Sequence, residues 1–272
     1  LGIKGLLRSG DHVITTSMEH NSVLRPLKSL EKFGITHSVL RADRDGLLTA
    51  ADIEKTIRPN TKLIIVTAAS NVTGGKMPIA EIGELAKRKG IFFMVDGAQG
   101  AGCMPLDVAH MHIDLLAFPG HKGLLGPQGS GGLYASPRTA LRPMLEGGTG
   151  TESKSREQPR EFPEGFEAGT INAPAIIGLG RGTEFVAKIG VDVIARYEEE
   201  LISYLDACLD EMPGVLRYGP PAGKKTGITL FNMEGLPAEE VTATLNNQYG
   251  IAVRGGYHCA GLAHKSIGTW EQ

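Results

Sequence analysis

The sequence predicts an α/β chain: a mostly parallel sheet covered by helices, followed by a smaller α+β unit. Three observations carry this. Strand and helix patterns alternate through the first two thirds of the 272 residues. The strand segments are near-continuous apolar runs, as expected when both faces of a sheet are covered. Many of the 37 glycines fall where those runs end, where backbone must come close to a ligand.

Each element follows in order. Residues 1–7 read as the end of a helix. His12-Val13-Ile14-Thr15-Thr16-Ser17 predicts the first strand, and Leu24, Leu27, Leu30 and Phe33 then recur at helical spacing. Ser38-Val39-Leu40 predicts a second strand. Thr49 caps a helix carrying Ile53 and Ile57, which Arg58-Pro59-Asn60 stops. Leu63-Ile64-Ile65-Val66-Thr67 is an apolar strand. Residues 78–89 form an amphipathic helix with Ile79, Ile82, Leu85 and Ala86 on one face, ended by Gly90. Three more strands follow, at Ile91-Phe92-Phe93-Met94-Val95, at Leu115-Leu116-Ala117-Phe118 and at Gly131-Gly132-Leu133-Tyr134-Ala135.

Residues 147–165 are polar and glycine-rich, and predict an exposed loop of the kind that carries function. Residues 173–189 read as a helix opened by Pro174, and residues 191–212 as a second long helix stopped by Pro213-Gly214. A βαβ-like region closes the chain: a strand at residues 227–231, a helix at 238–248 and a strand at Ile251-Ala252-Val253. The domain division is placed at residue 180, giving 1–180 and 181–272.

Composition removes several functions. Hydrophobic residues make up 41% and charged residues 21%, the profile of an ordinary globular chain. A net charge of −2 leaves no basic footprint for nucleic acid. No apolar run approaches the roughly 20 residues of a membrane span, and no signal peptide opens the chain. The expected location is cytoplasmic. The three cysteines, Cys103, Cys208 and Cys259, are odd in number and lack ligand spacing. Neither a disulfide framework nor a metal site is expected. The chain starts without Met and both ends are abrupt, so a longer parent polypeptide is expected.

The candidate chemistry lies at strand ends. Lys122 follows an apolar strand and is flanked by Gly120 and Gly123. Most lysines are solvated surface residues, but ligand crevices of open α/β sheets lie at strand carboxyl ends. Asp96 ends the Phe92 strand, either capping the next turn or facing a cation. Gln99 follows three residues later. An amine, an anion and a donor on neighbouring strands suit pyridoxal 5′-phosphate (PLP), with its aldehyde, pyridine nitrogen and phenolate oxygen. Asn71 ends the Leu63 strand, as a turn residue or another donor. His20 follows the first strand and could stack on a ring, although a lone histidine is more often structural. His121 could contact phosphate. Cys103 and Cys208 read as buried small hydrophobes. Cys259 differs, because it sits in a glycine-flanked loop beside His258 and near Arg254, surroundings that make a thiol nucleophilic.

Taken together, these segments resemble the class V aminotransferase-fold PLP enzymes, most closely the cysteine desulfurase and selenocysteine lyase group. Six segments, in the family's order, carry the resemblance: Glu19-His20-Asn21-Ser22, Ser70-Asn71-Val72-Thr73-Gly74, Val95-Asp96-Gly97-Ala98-Gln99, Gly120-His121-Lys122-Gly123, Phe166-Glu167-Ala168-Gly169-Thr170 and Arg254-Gly255-Gly256-Tyr257-His258-Cys259-Ala260. The resemblance implies the PLP-dependent transferase fold (fold type I). It implies that Lys122 holds the cofactor covalently and moves protons at the substrate's alpha carbon. His20 would stack on the ring and share in acid–base steps, Asp96 would pair with the pyridine nitrogen, and Gln99 and Asn71 would reach the phenolate side or the substrate. His121 would bind the phosphate, and Thr170 would reach the phosphate of a neighbouring subunit in a homodimer. Arg254 would place the substrate carboxylate. Cys259 would take the sulfur of L-cysteine as a persulfide, releasing L-alanine, before passing it to a sulfur-acceptor protein.

The resemblance has departures. Pro119 stands where the family often has a serine phosphate ligand; it has neither hydroxyl nor N–H, so that contact is lost or replaced. The family's phosphate loop would lie before Leu1, and its carboxylate-clamping arginine after Gln272. Two alternatives accompany the desulfurase reading. One is another class V activity: an aminotransferase, a selenocysteine lyase or an amino-acid lyase. The other is an inactive fragment.

Overall fold

The structure is a computed structural model and describes residues 1–271; Gln272, assigned above to the C-terminal unit, lies outside them. Its centre is a six-stranded sheet of order β2-β1-β3-β4-β5-β6. The strands are β1 His12–Thr16, β2 Thr36–Leu40, β3 Thr61–Thr67, β4 Phe92–Asp96, β5 Leu115–Pro119 and β6 Gly131–Ala135. All are parallel except β6, which runs antiparallel to β5.

The apolar runs explain why this sheet forms where it does. Alternate residues of each strand feed opposite faces. Ile64, Val66, Phe93 and Val95 pack on one side with Ile53, Ile79, Ile82 and Leu85. Leu63, Ile65, Met94 and Leu115 pack on the other with Ile3, Leu6, Val23 and Leu27. Helices α1 Gly2–Leu6 and α2 Asn21–Leu30 therefore cover one face, and α3 Ala50–Glu54 and α4 Ile79–Lys89 the other. Thr49 caps α3 through a reciprocal capping box with Asp52. Gly90 closes α4 in the left-handed conformation. Phe33, read above as part of an apolar face, is 60% exposed. It lies in a 3-10 turn beyond α2, which takes it off the helical stripe.

Two long helices follow, α5 Ala173–Ile189 and α6 Val191–Asp210, and residue 180 falls inside α5. The C-terminal part then departs from the βαβ expectation. Strand β7 Val215–Tyr218 pairs antiparallel with β8 Leu230–Met233, and helix α7 Ala238–Tyr249 follows. Ile251-Ala252-Val253 forms no strand. Among the described residues it has no ladder partner, and Ile251 stays 50% exposed. Propensity alone does not make a strand without a neighbour to pair with. A short helix α8 Gly261–Ile267 ends the fold, with Ala263 and Ile267 buried in the α3–α4 core.

The C-terminal part is tied by backbone to the turn that follows β3. Thr226 N–H donates to Gly74 O at 3.0 Å and Lys76 N–H to Lys224 O at 2.9 Å. Between them Lys225, 1% exposed, donates to Asp206 Oδ1 at 2.9 Å and meets its Oδ2 at 2.7 Å. A buried ammonium survives only when paired in this way.

Candidate functional site

Four strands deliver the site. The chain leaves β1 towards His20, β3 towards Asn71, β4 at Asp96 towards Gln99, and β5 towards Lys122. Strands β1, β3, β4 and β5 are parallel neighbours, so their turns lie side by side at one carboxyl edge, the usual ligand crevice of an open sheet. A cavity of about 570 Å³ opens there. His20, Asn71, Gln99 and Lys122 line it from the sheet; Arg254, His258 and Cys259 line it from the C-terminal segment.

Glycine makes the Lys122 turn possible. A Cβ on Gly123 would lie 2.5 Å from Ala101 O, and one on Gly102 would lie 2.3 Å from Gly123 O. Only glycines let these two backbone turns touch, and that contact fixes where Lys122 stands.

Asp96 is 8% exposed, and its Oδ1 accepts from Ala98 N–H at 2.9 Å. Burial pushes its carboxyl above the usual range; the Ala98 N–H, Lys122 and His20 pull the other way. The group is a buried acid that gains from a cation beside it. His20 is the N-cap of α2, and its Nδ1 accepts from Ser22 N–H at 3.1 Å. That bond assigns the ring proton to Nε2. Burial foremost holds the His20 pKa below its ordinary value; Asp96 opposes it, while Lys122, Arg25 and Arg254 reinforce it. The ring is therefore a neutral imidazole at neutral pH.

Asn71 has a task the sequence did not reveal. Its Nδ2 donates to His258 O at 2.7 Å, and Asn21 N–H donates to Cys259 O at 2.8 Å. Both bonds grip the turn that carries the candidate nucleophile. His258 and Cys259 have φ of 51° and 59°, two consecutive non-glycine residues in the left-handed region. Such residues persist only where their surroundings hold them, and they gather at functional sites. Cys259 is exposed at this turn, whereas burial foremost pushes the Cys103 thiol up to about 11.

His121 and Thr170 are exposed and do not line the cavity. Two residues without an assigned role also belong here. Glu19, beside His20, is fully buried; its Oε1 accepts from Thr16 Oγ1 at 2.6 Å and from Thr67 N–H at 3.1 Å. His264 of α8 lines the cavity. Among the described residues no cluster of His, Cys, Asp or Glu could hold a metal, and no helix is long and apolar enough to cross a membrane.

Comparison with known proteins adds the lineage. The family pattern described as aminotransferase class-V matches residues 1–270. A probable cysteine desulfurase of Methanothermobacter thermautotrophicus is 37% identical over 268 residues, covering 97% of this chain and 67% of the relative. One from Halalkalibacterium halodurans is 38% identical over 259 residues, covering 93% and 63%. The apo structure of a cysteine desulfurase from Thermococcus onnurineus NA1 superposes with a TM-score of 0.90 at 37% identity, over 97% of this chain and 68% of that one. The chain thus spans about two thirds of the length of the relatives it matches. The mostly parallel sheet with covering helices is the fold of that solved structure.

Proposed function

The chain belongs to the aminotransferase class-V family, and from that premise we propose that it acts as a PLP-dependent cysteine desulfurase, converting L-cysteine to L-alanine with sulfur passing to Cys259. One observation carries the proposal: a single cavity joins an amine, Lys122, to an exposed thiol, Cys259, held in a left-handed turn. Transamination needs no such thiol. The residues fit the cofactor's ring. Asp96 is a buried acid awaiting a cation, and His20 is a neutral ring able to stack above one. Pro119 fits the phosphate end less well, since it offers no donor.

When bound, PLP supplies an electron sink for the substrate's alpha carbon. The protein's residues do the rest. Lys122 holds the cofactor and moves the alpha proton. Asp96 keeps the pyridine nitrogen protonated, Gln99 and Asn71 meet the phenolate side, and His121 and Thr170 serve phosphates, Thr170 that of a second subunit. Arg254 orients the substrate carboxylate. The Cys259 thiolate attacks the substrate sulfur; the carbon–sulfur bond breaks, its electron pair stays on carbon, and a proton completes alanine. Cys259 keeps the sulfur as a persulfide for an acceptor protein.

The proposal extends to assembly and place. Exposed Ile177, Phe185, Tyr197 and Tyr204 on α5 and α6 leave an apolar face that a second copy would cover, which supports a homodimer. We place the enzyme in the cytoplasm and divide it into a cofactor domain, 1–180, and a small domain, 181–272.

The test is an absorbance spectrum of PLP-treated protein before and after borohydride. A visible-edge band that borohydride removes, with the label on Lys122, supports the cofactor assignment. Cys259→Ser should keep that band and lose persulfide formation. Sulfur transfer that survives Cys259→Ser sinks the desulfurase reading in favour of another class V activity. No band at all would mean these 272 residues do not hold PLP alone.

A further inference from the structure

His264 is used by none of these steps, yet it sits at the base of the nucleophile turn. It is 4% exposed and lines the same cavity as Cys259. Its Nδ1 pairs with Thr269 Oγ1 at 2.7 Å, and the Tyr257 backbone beside the ring favours its charged form against burial. The ring also reaches the turn through the rings of its neighbours. His264 stacks on His258 with centroids 5.8 Å apart at 27°, and meets Tyr257 edge-on at 5.4 Å and 88°. Tyr257 in turn packs on Trp270 at 4.9 Å and donates its hydroxyl to Trp270 O at 2.8 Å.

Tyr257 and His258 are the two residues before Cys259, and His258 shares its left-handed conformation. A turn in that region needs support from outside itself. α8 gives it, because Ala263 and Ile267 anchor the helix in the main core and His264 extends from that anchor to the turn.

We propose that His264 is a positioning residue: its ring faces hold the Tyr257–His258–Cys259 turn so that the Cys259 thiol meets the substrate sulfur. The kinetic part rests on the desulfurase reading; the structural part does not. Burial foremost holds the His264 pKa down at about 4, so the ring packs uncharged at neutral pH.

Two substitutions separate the ring from its polar edge. His264→Phe keeps both faces and loses the bond to Thr269. His264→Asn keeps a polar partner for Thr269 and loses the faces. The readouts are the iodoacetamide labelling rate at Cys259, followed by peptide mass spectrometry, and persulfide formation from L-cysteine after PLP addition. His264→Asn is expected to raise the labelling rate about fivefold and lower kcat about tenfold, with KM moved less than about twofold. His264→Phe is expected to stay near the parent protein in both. If Phe behaves like Asn, or if Asn behaves like the parent, the proposal falls. Should His264→Asn fail to fold, Tyr257→Leu removes the neighbouring face and is expected to raise labelling in the same way; an unchanged rate overturns the idea. Sulfur transfer that survives Cys259→Ser would instead defeat the desulfurase reading and leave the labelling result standing.

Discussion

Asn71 carries the sharpest consequence at the scale of single residues. Its amide holds the His258 carbonyl, so it belongs to the nucleophile turn as much as to the cofactor side. A neutral hydrogen bond of this kind contributes about 1 kcal/mol net, and a change of that size shifts a local equilibrium about fivefold. Asn71→Ala should therefore speed iodoacetamide labelling of Cys259 about fivefold, with Asn71→Asp greater because a carboxylate would face a carbonyl oxygen. An unchanged rate would mean the bond does not restrain the turn. The strand-end residues His20, Asn71, Asp96, Gln99 and Lys122 were legible in the sequence because each follows a recognisable apolar run. The Asn71–His258 bond was not, since it joins positions 187 apart and no local pattern records that meeting. Glu19 and His264 were equally silent, as burial depends on what folds over a residue.

Among the elements, the long helices and apolar strands were readable because periodicity and caps agree. β7, with four residues, and α8, with seven, are too short for a period to emerge. Ile251-Ala252-Val253 had the composition of a strand and no partner. Helix glycines test the packing directly. Gly83 lies in α4, where a Cβ would sit 1.9 Å from Met111 O and 3.3 Å from the Phe93 ring. Gly180 lies in α5 with nothing within 4 Å of its Cβ position. Gly83→Ala must push α4 away from the Met111 loop, at about 1–3 kcal/mol. Gly180→Ala should stabilise by about 0.5–1 kcal/mol, because alanine loses less entropy in a helix. Urea denaturation should shift the two midpoints in opposite directions; a shift of the same sign in both would refute the packing assigned to α4.

For the molecule as a whole, buried ionisable groups set how stability varies with pH. Glu19 is held up at about 8 against an ordinary 4.5, by burial foremost. The folded state keeps this proton where the unfolded state has lost it, so stability falls as pH rises from 4.5 to 8, by about 1.4 kcal/mol per pH unit. Asp96 pulls the same way at acid pH. His12 and His264 are held near 4 against an ordinary 6.5, again by burial foremost. There the unfolded state binds the extra protons, so stability is lost as pH falls from 6.5 to 4, and His20 and His258 add to that loss. Between pH 4.5 and 6.5 the histidines outnumber the acids and stability climbs. Above 6.5 the histidine contribution fades and Glu19 turns the curve down. Chemical denaturation across pH 4 to 9 should therefore peak near pH 6.5. Glu19→Gln keeps the shape of the neutral acid and removes its titration, so it should flatten the alkaline limb and leave the acid limb in place. If the parent protein and Glu19→Gln decline in parallel above pH 6.5, Glu19 is not the group that holds its proton.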